Sequence, residues 1–211
     1  MLVVQPRHRG TGRSYAVCTV SCREDCSQSN GGHISVASLC RRRFGLYANV
    51  DLAFEGVRAR LDLLVLLAAS PDCPEHDYCW IELGERVNEY LQMFRIRAFW
   101  KNPSHSLSVR LWQAGCLWNT SLLVARMPVL LGLMRKVFPQ LAASFADVRA
   151  IIGTENETSV VEKIYGRIAV RDFLHEVSIK HAENIAVLPV SGIEWADLEK
   201  PHEVSTASSL C

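Results

Sequence analysis

The run LDLLVLLAAS, Leu61 to Ser70, constrains this chain most. Its apolar stretch, Leu63 to Ala69, is strand-sized and far short of the ~20 residues that cross a bilayer. It shows no polar face, so it reads as a buried strand. Strands apolar on both faces are typical of parallel sheets covered by helices.

The neighbouring segments agree. Upstream, Val50, Ala53, Phe54 and Val57 fall at helical spacing. Downstream, SPDCPEHD is a proline-punctuated loop, YCWIEL a short strand closed by Gly84, and LQMFRIRAFW a further strand. Ser104 is a good helix N-cap, Leu107 and Leu111 share a face, and Gly115 is a good terminator. CLWNTSLLVA reads as a strand. Pro128 suits a first helical turn, with Met127, Leu130, Leu131, Met134, Val137 and Phe138 as an apolar stripe. Helices are expected over 140–150 and 157–167, then a strand, NIAVLPV. Strands alternating with helices predict an α/β domain with a mostly parallel mixed sheet flanked by helices.

Residues 12–46 differ in texture. They are rich in Ser, Cys, Gly and Arg and show no sustained helical or strand period. With 211 residues, 49% of them hydrophobic, the chain can still bury a substantial core. A net charge of +1 gives no global field to recruit nucleic acid or an anionic membrane. The start, MLVVQPRHRG, has no apolar region of signal-peptide length, so a cytoplasmic location is expected. Eight cysteines are then free thiols rather than a disulfide framework. Cys18, Cys22 and Cys26 would line one helix face and could hold a metal, but tight C-x2-C pairs are missing.

Several residues invite chemistry. Asp197 follows a strand and a turn, where a carboxylate can hold Mg²⁺ or cap a helix. Asn119 lies inside a strand, where asparagine is disfavoured and needs a partner. Lys101 can meet a phosphate as a point charge or simply be solvated, and Pro103 should hold Asn102 extended. His33, His105 and His175 read as surface or packing residues, and Trp112 and Trp118 as core. Asp72, Glu75 and Asp77 form an acidic loop without a third fixed ligand.

Taken in order, SPDCPEHDYCWIELGE, FRIRAFWKNPS, GCLWNTSLLVARMPVLLGLMRKVFPQL, DFLHEV and IAVLPVSGIEWADLEKPHEV resemble the sugar-phosphate nucleotidyltransferases. The resemblance is greatest to the mannose-1-phosphate guanylyltransferase branch and runs from about Tyr47 to about Val204. Residues 2–11 look like that family's P-x-x-R-x-T-A-P loop. The resemblance implies an incomplete Rossmann-like nucleotidyltransferase fold. Its parts would be a remnant of the nucleotide-binding half (1–11), an irregular Cys/Ser/Arg-rich segment, out of frame or disordered (12–46), and the sugar-phosphate-binding part (47–211). It implies transfer of a nucleotidyl group, from GTP or another nucleoside triphosphate, to mannose 1-phosphate or another sugar 1-phosphate. Pyrophosphate would be released, and Mg²⁺ and basic groups would neutralise the anions.

Carried over residue by residue, Asp197 matches the family's late metal aspartate and Asn119 its sugar-contacting asparagine. Tyr78 to Ile81 match a Y-G-W-I segment, whose glycine is here Cys79. Where the family reads F-x-E-K-P, Lys101 replaces the glutamate that holds sugar hydroxyls and Asn102 replaces the phosphate-binding lysine. Glu199 stands where glycine is usual. The glycine-rich G-G-x-G-T-R loop and the P-x-D-H loop have no counterpart; Asp25 in SCREDC does not end an apolar strand. These departures imply an impaired site and an exposed sheet edge, hence poor solubility or homo-oligomerisation.

Residues 12–46 also read as an out-of-frame product. Restoring a P-x-D-H-like strand in another frame of the coding DNA would bear that out. The rival readings are a non-catalytic fragment, binding sugar phosphate or acting as an interaction module, and a cysteine-based metal-binding protein.

Overall fold

The computed structural model describes residues 32–34, 38–40, 43–88, 90–148, 153–167, 172–190 and 195–197. Strands β1 (Gly32–Ile34) and β2 (Ser38–Cys40) lead into helix α1 (Arg43–Ala59). Strands β3 (Leu64–Ala69), β4 (Trp80–Asn88) and β5 (Met93–Trp100) follow, then α2 (His105–Gln113) and β6 (Leu117–Arg126). Four helices come next: α3 (Met127–Val137), α4 (Pro139–Val148), α5 (Glu157–Arg167) and α6 (Phe173–Lys180). Strands β7 (Ile185–Val190) and β8 (Trp195–Asp197) complete the order. No helix among the described residues is long and apolar enough to cross a membrane.

The chain divides into two compact units at His33/Ile34, Ala125/Arg126 and His181/Ala182. In the unit holding α1 to β6 and β7, strands run in the order β6-β3-β7-β5-β4, and β4 also pairs with the start of β6. The apolar run Leu64–Ala69 is buried throughout, as its composition requires. Leu63, Val65 and Leu67 pack with Val50, Ala53 and Val57 of α1, Met93, Leu122, Val124 and Leu188. The helical spacing in α1 thus marks its core face. α1 approaches closely because Gly56 has no side chain: a Cβ there would lie 2.5 Å from Met93 Sδ.

In the other unit, Leu130, Leu133, Met134 and Val137 form the buried stripe of α3, and Pro128 lies in its first turn as predicted. Phe138 meets Phe173 of α6 at 6.4 Å between ring centroids.

The α/β class with helices and a mixed sheet is as expected, but among the described residues most of the strand pairs below are not parallel. β3 and β7 run parallel, whereas β3–β6, β4–β5, β4–β6 and β5–β7 are antiparallel. A run apolar on both faces reports burial, and burial does not fix direction.

Three local expectations also change. Gly84 does not close a strand: β4 continues through it to Asn88, with register shifts on both sides. Trp112 is 41% exposed rather than core. Within 12–46, β1, β2 and the first turn of α1 are regular, and Ser38 of β2 pairs antiparallel with Asp197 of β8. Residues 1–11, Cys18, Cys22, Cys26 and Asp25 lie outside the described residues.

Candidate functional site

The site is built on the start of β4, the end of β5 and the start of β6. Trp80 pairs with Trp100 on one side and with Trp118 on the other. One residue further along, the Asn119 backbone N–H donates to the Cys79 carbonyl at 2.8 Å. Cys79 and Asn119 are therefore cross-strand neighbours, on the face opposite Trp80 and Trp118. Lys101 follows Trp100, the last residue of β5, and lies in the bend just beyond the strand. Cys79 and Asn119 are half-buried and Lys101 is exposed.

The opposite face is an aromatic floor. Tyr78 stacks on Trp118 with centroids 4.5 Å apart and planes 20° apart. Trp80 meets Trp118 edge-on at 6.0 Å, and its Nε1 donates to the Glu75 carbonyl at 2.8 Å. Leu111 and Cys116 complete the cluster, with Cys73, Trp100 and Leu107 packed against it. Trp118 Nε1 is buried and finds no acceptor among the described residues.

Asn119 sits on an irregularity in β6. Leu66 pairs with Leu123 but Ala68 with Asn119, so Leu67 alone faces the run Thr120–Leu122. The Thr120 hydroxyl donates to the Leu67 carbonyl at 2.6 Å and accepts the Leu122 N–H at 3.2 Å. Ser121 takes a left-handed φ of 59°, and its N–H donates to Asn119 Oδ1 at 3.0 Å. The sequence carries the signal in NTS, three polar residues breaking an apolar strand.

The Lys101–Pro103 loop departs from expectation. Asn102 precedes a proline yet takes φ 44° rather than an extended conformation. Asparagine tolerates positive φ better than other side-chain-bearing residues, which reconciles the two. Pro103 is buried, and Ser104 caps α2 as predicted, its Oγ accepting the Leu107 N–H at 3.4 Å. Gly115 takes φ 76° just past α2.

The thiols beside this site are kept protonated. Burial, with the Asp72 and Glu75 carboxylates adding to it, pushes the Cys73 thiol up to about 11. Burial first, then the Glu82 charge, raises Cys116 as well. No group of three or more His, Cys, Asp or Glu side chains able to hold a metal occurs among the described residues. That includes the loop of Asp72, Glu75 and Asp77. A Mg²⁺ ion bound by one or two carboxylates and substrate phosphates needs no such group. Asp197 ends β8, away from Cys79 and Asn119 in sequence, and only its backbone is described.

No family model matches the chain, and no curated protein does. Solved structures do. Mannose-1-phosphate geranyltransferase from Thermus thermophilus superposes with a TM-score of 0.79 at 17% identity, over 100% of this chain and 58% of that one. Mannose-6-phosphate isomerase from Helicobacter pylori gives 0.69 at 15% identity, over 91% of this chain and 73% of that one. UDP-glucose pyrophosphorylase, solved with UDP-glucose, gives 0.51 at 10% identity, over 98% of this chain and 63% of that one. The chain thus spans 58% of the length of the first of these proteins. At these identities the likeness is one of fold: the chain has a sugar-phosphate nucleotidyltransferase-like fold.

Proposed function

We propose that this chain is a nucleotidyltransferase-type protein whose Cys79–Asn119 pair and Lys101 receive a sugar 1-phosphate, with mannose 1-phosphate the favoured ligand. The observation that carries the reading is the pairing of Cys79 with Asn119, residues remote in sequence, beside the strand end at Trp100 from which Lys101 follows. Asn119 would hold a sugar hydroxyl, and the backbone of Tyr78 and Cys79 would flank the ring. Lys101 would meet the phosphate as a point charge, with Asn102 beside it. Asp197 would hold Mg²⁺, which neutralises phosphate charge in such transfers. The acceptor phosphate would attack a nucleoside triphosphate, GTP by preference, and displace pyrophosphate.

Turnover by this chain is expected to be slow. Lys101 and Asn102 stand where the resembled family has a carboxylate and a lysine. Each missing transition-state contact is worth about 10²–10³-fold in rate. The test is pyrophosphate release from GTP with mannose 1-phosphate and Mg²⁺, alongside direct binding of mannose 1-phosphate. Binding with slow release fits the reading; no binding to a folded chain sinks it.

A second reading, a non-catalytic sugar-phosphate-binding or interaction module, is favoured by the same substitutions at Lys101 and Asn102. Binding unchanged by Mg²⁺ and GTP, with no pyrophosphate formed, would select it. A cytoplasmic location and self-association remain part of the proposal, and size-exclusion chromatography showing a clean monomer would contradict the latter.

A further inference from the structure

We propose that Thr120 is a positioning residue: with Ser121 it fixes the Asn119 carboxamide so that its NH₂, not its oxygen, faces a ligand hydroxyl oxygen. The ligand half of this inference rests on the sugar-phosphate reading above; the positioning half does not.

The irregularity in β6 sets Leu67 opposite the three-residue run Thr120–Leu122. The Thr120 hydroxyl bridges it, donating to Leu67 O at 2.6 Å while accepting the Leu122 N–H at 3.2 Å. Thr120 is 2% exposed, so neither group could turn to water instead. One hydroxyl thereby closes both sides of the irregularity and holds Ser121 in its left-handed conformation. The Ser121 N–H then points at Asn119 Oδ1, 3.0 Å away.

That contact decides the polarity of the amide. Turning the carboxamide over would set Asn119 Nδ2 against the Ser121 N–H, donor against donor, so the two orientations are not interchangeable. One lone pair of the amide oxygen is taken by its own backbone, and the orientation of the group is set. The Nδ2 hydrogens, on a half-buried side chain beside Cys79, are the donors it offers a ligand. A group that accepts, such as the lone pair of a sugar hydroxyl, fits these donors.

The test uses the full ¹⁵N-labelled chain. Thr120→Val should raise amide exchange at Ser121 at least tenfold, and Thr120→Ser, which keeps the hydroxyl, should restore it. Asn119→Asp keeps an acceptor for the Ser121 N–H but loses the donors. It should leave Ser121 exchange within twofold of wild type and raise the Kd for mannose 1-phosphate at least tenfold. The Asn119 side-chain NH₂ signals should move on adding mannose 1-phosphate but not inorganic phosphate.

Unchanged Ser121 exchange in Thr120→Val, or wild-type affinity in Asn119→Asp, overturns the proposal, as does an equal response to inorganic phosphate. Should Thr120→Val fail to fold, Thr120→Ala against Thr120→Ser reads the same lock. Faster Ser121 exchange only in the alanine variant supports it, and equal exchange in both overturns it. If wild type binds no sugar phosphate, the functional reading fails while Ser121 exchange still decides the role of Thr120.

Discussion

Tyr78 lies flat on Trp118, ring centroids 4.5 Å apart, and ties the loop before β4 to the start of β6. Both side chains are buried, and Trp80 closes the cluster edge-on. The Cys79–Asn119 pair therefore stands on an aromatic floor, which is what a binding site requires, and Lys101 lies in the bend just beyond β5.

Removing that floor should cost stability first. Tyr78→Ala should destabilise the chain by about 3 kcal/mol, the usual cost of truncating a buried aromatic. Tyr78→Phe, which keeps the stack, should cost under about 1 kcal/mol. Urea unfolding followed by tryptophan fluorescence distinguishes the two, and equal midpoints would show that the stack contributes nothing.

Ser121 carries a conformational cost that glycine would not. At φ 59° an L-residue with a side chain is disfavoured by roughly 1–2 kcal/mol, partly offset by the greater unfolded-state freedom of glycine. Ser121→Gly should therefore stabilise the chain by about 0.5–1 kcal/mol, and Ser121→Val should destabilise it by more than about 1 kcal/mol. Thermal unfolding midpoints that shift in opposite directions would bear this out; midpoints that fall for both would not.

Much of this fold is legible in the sequence because burial leaves a periodic trace. The run Leu64–Ala69, the α1 face at Val50, Ala53 and Val57, the Ser104 cap and the Pro128 start all appear as read. Strand direction leaves no such trace, so the antiparallel majority is not visible in composition. Gly84 inside β4 and Trp112 on the surface depend on partners remote in sequence. The site is legible only in part. Asn119 and Lys101 stand out singly in the sequence, but only the pairings of Trp80 set Asn119 against Cys79 and bring the end of β5 beside them. The role of Thr120 depends on a register shift against Leu67 that periodicity cannot encode.

The α1–β5 contact should be intolerant of bulk. Gly56→Leu would drive its side chain into Met93 and Val65, both fully buried, and should cost about 1–3 kcal/mol despite the better helix propensity of leucine. Guanidinium unfolding measures this, and an unchanged midpoint would contradict the packing.

Thiol reactivity should follow the protonation of Cys73. With its thiol raised to about 11, the thiolate fraction at pH 8 is about 100-fold below that of an ordinary cysteine. Iodoacetamide should label Cys73 far more slowly in the native chain than in urea, and faster as pH rises toward 11. Burial is the larger cause and the Asp72 carboxylate the next, so Asp72→Asn should increase native labelling at pH 8. Mass spectrometry of the Cys73 peptide gives the rates, and equal labelling in native and unfolded chain would contradict the shift.

The most direct test of the functional account is titration of the ¹⁵N-labelled chain with mannose 1-phosphate, following the backbone amides of Cys79, Lys101 and Asn119. The account predicts saturable shifts concentrated at these three positions, absent with inorganic phosphate and weakened at least tenfold by Asn119→Ala. A folded chain whose spectrum does not change, or changes only elsewhere, would contradict it.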